Sequence, residues 1–379
     1  MQNLNRLSLH CLFIFILGCN NSTPTGVEKS SDRIVAGVNF TQLFAPPTAD
    51  EISAIKDEWA SRGISAENYQ LVDSSQVLLG SAQATLRIVS HTVDGFRHYG
   101  AILTPNNAAA GSLPVMVYTH GGDGGLSVTE FQFIASFNDN NADKYVYVAP
   151  SFRSEPLRTE SKFYRSEGDP SPWDRDVDDA LALLNVALQN TPEANPDHIG
   201  IIGFSRGAAV AMLMAIRDPR IELVVEFFGP TDFYGEFVQT VTEETLLGQP
   251  RDLPGLDFLN ETLIQPLQKG QLSIEEVRVE ILRRSPVYFA EALPQLQVHH
   301  GTADPIVPVG EAERLIAVMQ DLGRTAPDFE SYLYPNGTHN PFTLPGSISR
   351  SANFLSRMLR SQVSVFSIRY SVFSNQSKY

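Results

Sequence analysis

The chain has 379 residues, 42% of them hydrophobic and 19% charged, the make-up of a folded protein with a sizeable core rather than a disordered one. Asp and Glu number 43 against 28 Lys and Arg, a net charge of -15. That balance repels phosphate backbones and anionic headgroups and argues against nucleic acid as a partner.

Residues 1–19, MQNLNRLSLHCLFIFILGC, place one Arg ahead of the apolar run from Leu12 to Leu17 and end in Gly18 and Cys19. The pattern is that of a signal peptide too short to span a bilayer. ILGC resembles a bacterial lipobox, which makes Cys19 the expected lipidation site. Residues 20–40 then read as a flexible tether, and residues 41–379 as one domain. The expected location is the cell envelope after export, held by a lipid anchor; a secreted or periplasmic protein is the alternative. The 2 cysteines of the chain, Cys11 and Cys19, both lie in this leader. The remainder offers no thiol for a disulfide, a metal site or a nucleophile.

In chain order, ADEISAIKDEWASRG predicts a helix begun by Asp50 or a neighbour and stopped at Gly63. TLRIVSHTV (85–93) and FRHYGAILTP (96–105) are strand-like runs joined by Asp94-Gly95, a strong hairpin signal. The pattern then changes. Runs at 114–122, 145–152, 198–205, 222–230, 295–301 and 329–335 are mostly too continuous for a sheet with one wet face. Helical stretches at 176–190, 207–218 and 310–323 fall between several of them. An antiparallel entry followed by a mostly parallel sheet with helices on both faces is the expected α/β architecture. Residues 151–175 read as a long loop near the C-terminal edge of the sheet, and residues 231–290 as a helical cap insertion. The tail SVFSIRYSVFSNQSKY alternates enough to suggest one more strand.

GFSRG, residues 203–207, matches the nucleophile elbow G-x-S-x-G. Such a serine must stand in a sharp strand-to-helix turn, with small residues two positions either side so that neighbouring backbone can pass closely. The strand before it and the helix GAAVAMLMAI after it supply that setting. A serine hydroxyl also needs a base, and the base an acid that fixes its tautomer. Downstream, HGTADPIVP places Asp304 in a loop after one strand, and YPNGTHNP does the same for His339 after the next. His299 and His300 compete as bases and Asp232 as the acid, whereas Asp197 reads as a turn residue. For the oxyanion hole the candidates are the backbone N–H of Arg206 and one from Gly122 or Asp123 in THGGDGG. The Arg206 side chain could orient a carboxylate or form a salt bridge. His91, His98, His120 and His198 lack zinc spacing. The acids of DRDVDD could suggest calcium, but acids at a helix start are favoured by the dipole, so neither metal nor cofactor is expected.

Together YTHGG, GFSRG, HGTADPIVP and GTHN make residues 85–345 resemble an α/β-hydrolase, closest to the prolyl-oligopeptidase-like and dienelactone-hydrolase-like branches. The resemblance implies a mostly parallel eight-stranded sheet, a triad of Ser205, Asp304 and His339, no cofactor, and esterase or peptidase activity. Dienelactone hydrolases carry a cysteine where this chain has Ser205. The sequence before residue 85 is too short for the β-propeller of the oligopeptidases, so a small carboxylic ester is the expected substrate. A short peptide cleaved by a serine peptidase is the alternative, and a non-catalytic binding lipoprotein on the same scaffold a third reading.

Overall fold

The computed structural model describes residues 32–360. The leader with Cys19, most of the tether and the C-terminal tail lie outside these residues.

Among the described residues, nine strands form one sheet: β1 (Glu67–Leu79), β2 (Ala82–Val93), β3 (Phe96–Pro105), β4 (Leu113–Thr119), β5 (Val146–Pro150), β6 (Ala194–Phe204), β7 (Ile221–Phe227), β8 (Gln295–Gly301) and β9 (Phe329–Tyr334), in the order β9-β8-β7-β6-β4-β5-β3-β2-β1. The sheet is mixed. β4 to β9 run parallel, and β1, β2 and β3 enter antiparallel, with β3 pairing β5. Asp94 and Gly95 turn the β2–β3 hairpin with φ of 52° and 83°, the positive pair a tight hairpin requires. The eight expected strands are present, and β1 is a ninth. It is an edge strand exposed along most of its length, so it carries no buried alternation for a sequence reading to detect.

Helices cover both faces, because the central strands are buried on both sides. In β4, Val115 and Val117 join one core while Met116 and Tyr118 join the other. The first core packs α1 (Ala49–Ser61), α3 (Arg175–Asn190), α4 (Arg206–Arg217) and α7 (Gly310–Asp321); the second packs α2 (Val128–Ala135) and α8 (Ser347–Leu355). α1 is capped by Thr48, one residue ahead of its start at Ala49, because Thr48 and Glu51 form a reciprocal capping box.

One expectation about organisation needs correction. The tether ends sooner than residue 40: Ile34–Val35 and Val38–Asn39 pair as a small hairpin, and Val35, Val38 and Phe40 are buried. The insertion between β7 and β8 carries α5 (Glu236–Leu246) and α6 (Ile274–Leu282), and its second half also packs on the N-terminal segment. Arg278 of α6 donates to the carbonyls of Gln42, Leu43 and Ala45 and pairs with Glu51.

Candidate functional site

β6 ends at Phe204 and α4 starts at Arg206, leaving Ser205 alone at φ 53°, ψ -122°. A non-glycine residue held there is strained and needs surroundings that impose it. Here they do. The Ser205 N–H donates to the Phe227 carbonyl (2.9 Å), while the flanking glycines let three segments meet. A Cβ on Gly203 would collide with the Gly207 carbonyl, and one on Gly207 with the carbonyls of Thr119 and His120 at the end of β4.

Two further loops zip together beside it. After β8 and β9, Thr302 N–H donates to Tyr334 and Ala303 N–H to Gly337, both at 2.9 Å. A Cβ on Gly301 would strike the Gly337 backbone. This backbone contact brings the Asp304 and His339 loops into register. Oδ1 of Asp304 accepts from the N–H groups of Ile306 (2.8 Å) and Val307 (3.0 Å), and Oδ2 accepts from Nδ1 of His339 (2.7 Å). The Asp304 carboxylate is fully buried, and the His339 side chain is 18% exposed. With Nδ1 engaged, Nε2 is the nitrogen left for a reacting group. The ring rests on Phe228, with centroids 4.3 Å apart.

The rival histidines and acid have other occupations. His299 is buried between Phe227 and Tyr332, bonds Tyr334 and Gln297 at 2.8 Å, and is driven down to about 3 by burial. Nε2 of His300 donates to the Val307 carbonyl (2.9 Å), bracing the Asp304 loop. Asp232 pairs with Arg314 (3.1 Å) and accepts from Tyr234 N–H (2.9 Å). Asp197 is exposed, with its N–H on the Asn195 side chain.

Ser205, Arg206, Gly122 and His339 line one cavity of about 560 Å³, together with Gly121. As the first residue of α4, Arg206 has no acceptor within the helix for its N–H. Gly122 has φ 69°. Asp123 lines a separate cavity beside Glu155 and Arg206, so of the two loop candidates only Gly122 shares the wall with Ser205. The Arg206 side chain is buried in a salt bridge rather than free to meet a carboxylate. Its Nε and Nη2 donate to Asp176 (3.0 and 2.6 Å), and its Nη1 to Glu155 (2.5 Å) and the Gly122 carbonyl (3.2 Å). Burial pushes the carboxyls of Asp176 and Glu155 up, against the lowering pull of Arg206. His120, buried beside them, is pushed down to about 4. The acids of DRDVDD are likewise spent on arginines: Asp174 and Asp178 on Arg62, Asp179 on Arg153.

Residues 145–250 match the model of the Dienelactone hydrolase family, a stretch that contains Ser205 but stops short of Asp304 and His339. Among solved structures, the chain is similar to an acetyl xylan esterase 1 from Thermoanaerobacterium sp. JW/SL YS485, at 16% identity over 82% of this chain and 92% of that one, with a TM-score of 0.54. An acetyl xylan esterase from Paenibacillus sp. R4 gives 17% identity over 82% and 97%, TM-score 0.54. This is an α/β-hydrolase fold. A puromycin-hydrolyzing peptidase from Mycobacterium tuberculosis shares it too, at 18% identity and TM-score 0.52, over 75% of this chain but 40% of that chain. No curated protein matches the sequence. At these identities the likeness of this chain to solved structures concerns the fold, and the chemistry rests on its own residues.

Sequence reasoning missed several of the cavity walls. Trp173 arrives from the 151–175 loop, Phe133 and Phe137 from in and just after α2, and Phe342 from beyond His339. No local spacing joins these segments. The nearest signal was the excess of aromatic residues in stretches otherwise polar.

Proposed function

We propose that this α/β-hydrolase cleaves carboxylic esters through an acyl-enzyme on Ser205. The observation that carries the reading is the strained Ser205 at the wall of a cavity it shares with His339, whose Nδ1 is held by buried Asp304. Nε2 of His339 takes the proton as the Ser205 oxygen attacks the carbonyl carbon. The N–H groups of Arg206 and Gly122 donate to the oxyanion. Collapse breaks the bond to the alcohol, which leaves with the proton from His339; water then repeats the steps and releases the acid. The family match over residues 145–250 supports a hydrolase.

A second reading, a peptidase for substrates with a free amine, is favoured by one observation: Asp252 of the insertion lines the same cavity and could hold an ammonium group. Hydrolysis of p-nitrophenyl esters and of aminoacyl and dipeptidyl p-nitroanilides, each with Ser205→Ala as control, separates the two. Ester cleavage lost in the variant supports the first reading. Efficient anilide cleavage supports the second, and loss of neither activity in the variant overturns both. Export and lipid attachment at Cys19 are proposed alongside, on the leader pattern alone.

A further inference from the structure

We infer that the ester taken by this site carries a bulky apolar group, a medium-chain alkyl or an aryl ring, rather than being the acetyl ester of a carbohydrate. The inference rests on the ester-hydrolase reading of Ser205 and adds the class of substrate.

Size comes first. Cavities of about 300–1,000 Å³ bury drug-sized ligands, and this one, about 560 Å³, would be left mostly empty by an acetyl group. Its chemistry points the same way. The inner wall is made by Trp173, Phe204, Phe228, Phe237, Leu253 and Leu256. Away from Ser205, His339 and the oxyanion segment, the side chains that could grip a polar group are Glu130 and Asp252, both exposed, and Trp173, whose indole N–H is a single buried donor without a partner. A sugar buried here would give up several hydrogen bonds to water and recover few of them. An alkyl or aryl group loses nothing and gains from leaving water.

The wall is also fixed in place. Trp173 sits at φ 59° and brings the outer edge of its six-membered ring against Gly255, where a Cβ would collide with it; Phe233 packs against the same side chain in a T-shaped contact, with centroids 4.9 Å apart. Segment 252–256 is therefore built against a buried indole rather than hung over the site. A strained tryptophan held this way marks a constrained surface.

The apolar surface continues outward from the cavity. Phe133 and Phe342 remain 48% and 62% exposed although they line the mouth. Their rings lie 5.9 Å apart, and Phe137 is 5.1 Å from Phe133. Ile306, two residues after Asp304, is 40% exposed and lines the same mouth. Apolar side chains left in water around a cavity opening mark a binding surface, and a group longer than the cavity is deep would lie along them.

Two series of substrates test this, each below its micellar concentration. One lengthens the acyl side, from p-nitrophenyl acetate through butyrate and hexanoate to octanoate. The other varies the alcohol, with 2-naphthyl acetate set against an acetylated xylo-oligosaccharide. The expected result is a kcat/KM that rises about two- to fourfold per added methylene in the first series, or a preference of about a hundredfold for the naphthyl ester in the second. The arm that responds identifies the side of the ester that bears the apolar group. Leu253→Trp, which fills the cavity from a half-buried loop position, should lower the octanoate-to-acetate ratio about tenfold. Phe133→Ser, at an exposed position, should lower it severalfold. Equal rates on acetate and octanoate together with equal or better cleavage of the acetylated sugar would overturn the inference. A small serine-directed phosphonate, tested in parallel, keeps this apart from the reading on which it rests: labelling of Ser205 retains the hydrolase. Absence of labelling in folded protein removes the hydrolase and the substrate class with it.

Discussion

The guanidinium of Arg206 donates to the carbonyl of Gly122 at 3.2 Å while two carboxylates hold its other nitrogens. Two backbone segments that would face one oxyanion in the proposed mechanism, the start of α4 and the turn after β4, are thus tied through a single side chain. Arg206→Lys keeps the charge and loses the fork. It is expected to lower kcat about ten- to a hundredfold, less than the loss of a whole oxyanion donor, with KM changed little. Steady-state kinetics with a melting curve on the same sample check this. A fall in stability with kcat unchanged would make the arginine structural only.

Asp304→Asn should be more severe. The asparagine oxygen can still accept from Ile306 and Val307, but its NH₂ group would face Nδ1 of His339 and impose the wrong tautomer. A loss in kcat of about 10³-fold or more is expected. Thermal stability should stay near that of the parent, since the two loops are held by backbone bonds.

Stability should carry an alkaline signature from Glu226. This carboxyl is buried at the end of β7, accepts one bond from Gly229 N–H (3.1 Å), and is pushed by burial from 4.5 up to about 8. The folded state therefore keeps a proton that the unfolded chain has already released. Its contribution is complete below about 4.5 and is lost as pH rises through about 8. Glu226→Gln cannot release a proton, so the fall in melting temperature between pH 5 and pH 9 should be smaller in the variant, by an amount equivalent to roughly 2–4 kcal/mol. Parallel curves for the two proteins would show that the carboxyl stays charged.

The leader makes a prediction of its own. Expressed in full in a bacterial host, the protein should follow the membrane fraction and incorporate an azide-bearing palmitate, and Cys19→Ser should abolish both. Palmitate uptake persisting in the variant would remove the proposed anchor.

Much of the site was readable because its parts are local. An elbow needs glycine, serine and glycine in five residues, and acid and base loops each follow an apolar strand, so the pairing of Asp304 with His339 could be read from chain order. What escaped was either exposed or assembled from afar. β1 is wetted along most of its length, so QLVDSSQVLL shows no period. The acids before α3 look like a solvated helix start; only the fold reveals that Arg62, Arg153 and Arg206 converge on them. The choice between Gly122 and Asp123 as oxyanion donor stayed open for a related reason. THGGDGG announces a turn, but which of its residues faces Ser205 depends on where Arg206 anchors the Gly122 carbonyl.

Arg278 carries a consequence for how this chain comes to be folded. Its contacts with Glu51 span 227 residues of sequence, and one of its nitrogens serves three carbonyls of the segment just before α1. Emerging from the ribosome, the segment before α1 therefore lacks this partner until most of the protein has been made. Closing so large a loop costs entropy before any contact repays it. The link between Arg278 and this segment then cannot form early, and it must come among the later events of folding.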